Sequence, residues 1–120
     1  MALQMVESAH PALGGLAAQP RFRFFELSDG REPYAVGALG EHQDCLELHL
    51  EVLRFGPSTV RAMRADMEEL KRMARGRGKT RIVGLRIEDG QVPDPRWPKF
   101  TRLFGFTGQH VFQAAELHLG

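Results

Sequence analysis

The sharpest pattern in the chain is an alternation at residues 45–55, CLELHLEVLRF. Leu46, Leu48, Leu50 and Val52 alternate there with Glu47, His49, Glu51 and Leu53. A period of two sends neighbouring side chains to opposite faces of a strand, so one face is core and the other polar. The pattern changes at Gly56-Pro57. From there Val60, Met63, Met67, Leu70 and Ala74 recur at steps of three and four, the stripe of an amphipathic helix over 57–75. Proline suits the first helical turn, and Ser58 or Thr59 can satisfy free N–H groups there. Arg61, Arg64, Asp66, Glu68, Glu69, Lys71 and Arg72 take the other sides, and basic residues crowd the C-terminal end, where the helix dipole favours them. Gly76 and Gly78 end the helix.

Weaker patterns flank this unit. Residues 21–29, RFRFFELSD, read as a strand ending in a Ser-Asp-Gly turn, with 33–40 as its hairpin partner. A turn at 40–44 leads into the strand at 45. Residues 80–88, TRIVGLRIE, read as the next strand. Asp94-Pro95 then opens a second helix with Trp97, Phe100, Leu103 and Phe104 on its apolar face. Gly105 closes it, Phe106 supplies the hydrophobic contact that follows a glycine cap, and 110–119 form a last strand. Residues 1–20, rich in Ala, Leu and Gly and broken by Pro11 and Pro20, read as an arm with one short helix ahead of a single domain over 21–120. The expected order is β-β-β-α-β-α-β, an α+β fold with a mixed, mostly antiparallel sheet. The strand–helix–strand unit at 45–88 is expected to be a parallel crossover.

Composition adds bounds. With 120 residues, 42% of them hydrophobic and 26% charged, the chain suits one globular domain. A net charge of +1 lacks the basic excess of most nucleic-acid binders. The single cysteine, Cys45, cannot form an internal disulfide, so a reducing compartment is expected. No apolar run reaches the roughly 20 residues of a membrane span, and the first residues lack a basic n-region. A cytoplasmic location, or a particle assembled in the cytoplasm, is the expectation.

Three stretches resemble the GCN5-related N-acetyltransferase (GNAT) family. CLELHLEVLRF followed by GPSTVRAMRADMEELKRMAR looks like the family's central strand and pyrophosphate-facing helix. TRIVGLRIED looks like the next strand. KFTRLFGFTG looks like the second conserved helix, with its Gly-Phe end. The resemblance spans about residues 21–119, and it implies acetyl-CoA as cofactor. It implies cofactor contacts at Gly56, Ser58, Thr59 and Val60, with backbone N–H groups near Leu53–Phe55 polarising the thioester. Glu47 or Glu51 would then be the base, with water as acid. The departures are specific. The family's Gln/Arg-x-x-Gly-x-Gly/Ala loop is replaced by Arg54-Phe55-Gly56-Pro57-Ser58-Thr59, with one glycine and a proline that has no N–H. The family's acidic tyrosine has no counterpart, because the only tyrosine is Tyr34. A shortened domain with this loop also resembles small GNAT-like proteins of tailed bacteriophages, some of them virion components. The expectation is therefore a non-catalytic interaction or virion protein with no cofactor. An acetyl-CoA-dependent N-acetyltransferase is the alternative.

Other groups carry less. Glu47, His49 and Glu51 share a strand face, and the plain reading is a solvated one. The five histidines (His10, His42, His49, His110 and His118) form no HxxxH or HxH pair, so no metal site is expected, though His49 and His118 stand on strands that can adjoin. Cys45 has no base near it in sequence. The basic run at 71–81 reads as helix-end charge and a solvated turn. Its alternative is an acidic protein surface or nucleic acid, and the lack of interleaved aromatics counts against the latter. Protein partners, if any, are expected at this run and at the 1–20 arm.

Overall fold

The fold is that of a computed structural model, which describes residues 3–30, 32–85, 96–108 and 117. Its elements are β1 (Leu3–Val6), a 3-10 segment (Pro11–Ala18), β2 (Arg23–Ser28), β3 (Pro33–Glu41), β4 (Cys45–Val52), α1 (Pro57–Gly76), β5 (Arg81–Gly84) and α2 (Trp97–Arg102). The sheet runs in the order β1-β2-β3-β4-β5. Its first three pairings are antiparallel, and β4 and β5 are parallel, as the crossover through α1 requires.

The hairpin, β4 and α1 stand where the sequence places them. The first twenty residues differ: besides the short helical segment they supply β1, whose Leu3 lies opposite Leu27. The expected strand 80–88 is described only as Arg81–Gly84, with 86–88 outside the described residues. The Asp94-Pro95 helix start and the last strand, 110–119 apart from Leu117, also lie outside them.

Both long-range helix ends have a chemical reason. At Gly78 (φ +76°), Gly78 N–H donates to Arg75 O and Lys79 N–H to Ala74 O, at 3.0 Å each. At Gly105 (φ +90°), Gly105 N–H donates to Arg102 O and Phe106 N–H to Thr101 O, at 3.2 and 3.1 Å. Both are Schellman closures, which need the left-handed conformation that glycine adopts freely. Phe106 packs back onto the core as its place after the cap predicts.

The two faces of the sheet are covered differently. Residues opposite one another in the register share a face. Phe25, Leu27, Ala35, Leu39, Leu48 and Leu50 therefore form one face, and it meets Met63, Met67 and Leu70 of α1 and Phe104 beyond α2. Gly37 sits beneath the Phe25 ring, where an added Cβ would come within 2.3 Å of Phe25 Cζ. Val36, Ala38, Cys45, Glu47 and His49 form the second face. The 3-10 segment packs on it across β3 and β4, with Leu13 and Phe22 buried there. The expected wet face of β4 is thus a dry one over 45–49: Glu47 is 6% exposed and His49 7%. The cover comes from residues 11–22, far upstream of β4. Among the described residues no helix is long and apolar enough to cross a membrane.

Candidate active site

The open edge of β4 is the first part of the site. β3 pairs with β4 from Leu46 to Val52, but β5 pairs only with Cys45–Leu48. The ladder to β5 ends where Leu85 N–H donates to Leu48 O at 2.9 Å. Backbone groups of alternate residues point to the same side of a strand. The N–H groups of Leu50 and Val52 therefore face the β5 side, and among the described residues no backbone carbonyl accepts them. The described part of the β4–β5 ladder ends at Leu48. The donors implied near Leu53–Phe55 are partly engaged already, since Leu53 N–H and Arg54 N–H both donate to Tyr34 O, at 2.8 and 3.1 Å.

The start of α1 is the second part. Gly56 N–H donates to Thr59 Oγ1 at 2.7 Å, and Thr59 Oγ1 donates to Gly56 O at 2.8 Å. Val60 N–H makes the first helical bond, to Gly56 O at 3.0 Å. Pro57 has no N–H. Of the four implied cofactor positions, Ser58 and Thr59 keep backbone donors for an anion, while those of Gly56 and Val60 are engaged. Two donors and the helix dipole suit a phosphate group weakly. Arg54, at the loop's basic position, is held instead by Asp29 Oδ2 and Glu32 O, both at 3.1 Å. Arg61 and Arg64 lie exposed further along α1, and neither makes an ion pair among the described residues.

The two candidate bases differ. Glu47 takes Arg21 on both oxygens, at 3.0 and 3.2 Å, His42 Nε2 at 2.7 Å and His49 Nε2 at 2.5 Å. Burial alone would raise its pKa, but the bonds from Arg21, His42 and His49 outweigh that and hold it at about 2. A carboxylate so acidic, with its lone pairs filled, is a poor proton acceptor. Gly40 lies opposite Glu47 and makes room for this cluster: a Cβ there would come within 2.9 Å of both Arg21 Nη1 and Phe22 Cε1. Arg21 also stacks on the Phe22 ring at 4.0 Å, and Phe22 meets His49 edge-on. Glu51 lies two residues further along the same face. It is half-buried, and its side chain makes no hydrogen bond or ion pair among the described residues.

Tyr34 is fully buried, and its hydroxyl donates to Asp66 of α1. Burial, and then the neighbouring Asp66, push its pKa far up, so it is no proton donor at neutral pH. Burial likewise raises the Asp66 pKa, against the Tyr34 bond that lowers it. The sequence assigns Asp66 to the polar side of the helix. Its spacing from Met63 and Leu70, three before and four after, is the signal that it belongs to the stripe.

The remaining candidates are placed as follows. Cys45 is a buried free thiol. His49 bonds Glu47, while His110 and His118 lie outside the described residues. No group of three or more His, Cys, Asp or Glu side chains among the described residues is placed to hold a metal. In the basic run, Lys71 pairs with Glu68, Arg72 with Glu69, Arg77 and Lys79 with Glu41, and Arg81 with Asp44.

No protein-family model and no curated protein matches the chain. Two of the solved structures that it resembles show the likeness in fold. One is titled "Putative acetyl transferase from Pyrococcus furiosus": TM-score 0.58, 18% identity, with 88% of this chain and 72% of that one covered. The other is titled "Crystal structure of a probable acetyltransferase": TM-score 0.54, 14% identity, with 91% and 75% covered. At these identities the likeness concerns the fold alone: an α+β fold with a five-stranded, mostly antiparallel sheet, shared with these two structures.

Proposed function

We propose that the chain is a small acetyl-CoA-dependent N-acetyltransferase with a weak hold on its donor. The β5-side edge of β4 carries this reading, because among the described residues no carbonyl takes its Leu50 and Val52 N–H groups, beside the start of α1. Leu50 and Val52 N–H groups are about 6.7 Å apart along an extended strand. They cannot meet on one oxygen. One polarises the thioester carbonyl, and the other holds an amide of the donor's arm. Ser58 and Thr59 N–H groups take a phosphate oxygen. Glu51 accepts the proton of the acceptor ammonium, and the freed amine attacks the carbonyl carbon. Water protonates the departing thiolate, since Tyr34 is locked onto Asp66.

Melting with acetyl-CoA tests this reading. A ligand that binds only the native state raises the melting temperature, by several degrees at a hundredfold excess over Kd. Glu51→Gln should keep that shift and lower acetyl transfer to a panel of amines by about 100-fold, the usual scale of general-base loss. No shift at millimolar acetyl-CoA removes the reading.

A second reading rests on one observation: one of the strand's two candidate carboxylates, Glu47, is sealed into an ion-pair cluster. In that reading the fold serves protein–protein contact without catalysis, as in a phage particle or its assembly, through the first twenty residues and the 71–81 run. Absent donor binding together with a stable larger species in light scattering supports it.

A further inference from the structure

Tyr34 of β3 is bonded at both ends. Its carbonyl accepts the Leu53 and Arg54 N–H groups at 2.8 and 3.1 Å, and its hydroxyl donates to Asp66 of α1. The first two bonds fix the chain as it leaves β4. The third fixes α1 further along, at a point about 15 Å of helix beyond Gly56. One fully buried residue thus holds the chain on both sides of Ser58 and Thr59. A buried phenol–carboxylate bond adds little net stability, since an apolar pair of the same shape holds a core as well. What it supplies is direction. The rest of the contact that α1 makes with the sheet is apolar: Met63, Met67 and Leu70 join Phe25, Leu27 and Leu48 in one cluster. Methionine is unbranched and adaptable, so it specifies position poorly. Such a seam tolerates a slip of one helical turn, about 5.4 Å. The Tyr34–Asp66 bond does not, because a slip of four residues sets Ala62 or Leu70 against the buried hydroxyl.

We propose that Tyr34 is a positioning residue: its bond to Asp66 sets the register of α1 along the sheet, and so places the Ser58 and Thr59 N–H groups against the end of β4. A single polar bond in an apolar contact surface is a known means of fixing register between packed elements. Here it acts together with the two bonds to Tyr34 O, which hold the entry to the helix at the same residue. The placing of a donor phosphate rests on the acetyl-transfer reading. The register of α1 does not depend on it. Tyr34 touches no donor atom in this scheme and acts only through the helix that it holds.

The test compares two variants of the full chain with the wild type. In Tyr34→Phe/Asp66→Leu, leucine keeps the branching of aspartate without its polar atoms. In Asp66→Asn, the amide oxygen still accepts the phenol. The double variant should melt within a few degrees of the wild type. Amide hydrogen exchange at Val60, whose N–H donates to Gly56 O, should be at least about 10-fold faster in it, as the first turns of α1 open locally. Acetyl-CoA and CoA should both bind about 10-fold more weakly, the loss of one charge-assisted bond to the phosphate they share. Asp66→Asn should match the wild type in all three measurements. Wild-type exchange in the double variant overturns the proposal, whatever that variant binds. A melting temperature far below the wild type overturns it too, because the pair then serves stability. Fast exchange with unchanged affinity shows that the register does not place the donor, and overturns it as well. If the wild type binds neither ligand, the acetyl-transfer reading falls, and the exchange rate alone decides whether Tyr34 sets the register.

Discussion

Two buried carboxylates, one on each face of the sheet, have opposite fates. Glu47, under the 3-10 segment, is held ionised by Arg21, His42 and His49. Asp66, on α1, meets the sheet with a neutral phenol as its bonding partner, and burial pushes it toward the protonated form. Exposure does not separate them, since both are nearly inaccessible, at 6% and 4%. Partner charge does. A buried ion is stabilised when several charge-assisted donors replace its water, and one neutral hydroxyl replaces only a part of it. Neither carboxylate is free for catalysis, which leaves Glu51 as the open acid group on β4.

Removing the better-partnered charge should cost the most. Glu47→Gln leaves Arg21 and two histidines around an amide, and should lower unfolding free energy by about 3 kcal/mol in urea titration. The figure sits at the low end for a buried pair because Arg21 is half exposed and can rehydrate. A loss below about 1 kcal/mol would mean that the cluster is no stronger than a surface pair. Tyr34→Phe is next. It keeps the ring in the core but strips Asp66 of its donor, for about 2 kcal/mol.

Gly40→Ala separates geometry from charge on the Glu47 face. The new methyl displaces the end of Arg21, which can move, and crowds the Phe22 ring, which cannot easily do so. The expected loss is about 1 kcal/mol. If Arg21 carries the cluster, a double variant with Glu47→Gln should lose less than the sum of the two single losses. Strict additivity would break that link.

The contrast between the faces was only half legible in the sequence. α1 and its glycine end follow from local rules: a 3.6-residue stripe and one position, Gly78, that wants positive φ. β4 follows from its period. The burial of Glu47 does not, because its cover arrives from Leu13, Arg21 and Phe22, more than twenty residues away, and a period of two says which face is polar but not whether that face is wet. β1 is only four residues long, too short for a period to show. The candidate site divides in the same way. Pro57 shows in the sequence that one donor is missing from the loop. The engagement of Gly56 by Thr59, and of Leu53 and Arg54 by Tyr34 O, depends on how the chain closes at those turns. The donors at Leu50 and Val52 depend on the register in which β5 pairs with β4, and the 80–88 pattern does not give that register.

The smallest expected effect distinguishes the two carboxylates most sharply, because it has the opposite sign in pH. Asn can accept the Tyr34 hydroxyl bond through its amide oxygen, so Asp66→Asn should change stability by less than about 1 kcal/mol at pH 7. The folded pKa of Asp66 lies above its ordinary 3.8, so the folded chain binds this proton more readily than the unfolded one. Its contribution to stability is full below 3.8 and fades as pH rises through the folded value. Glu47 runs the other way: its folded pKa of about 2 lies below the ordinary 4.5, so its contribution is present above 4.5 and is lost as pH falls toward 2. Acidification from pH 7 should therefore first favour the wild type over Asp66→Asn. Below about pH 4.5 it should erase the wild type's advantage over Glu47→Gln. Parallel denaturant titrations of the three proteins at pH 7, 5, 4 and 3 measure both trends. If both differences move in the same direction, Asp66 is ionised as firmly as Glu47, and partner charge does not distinguish the faces.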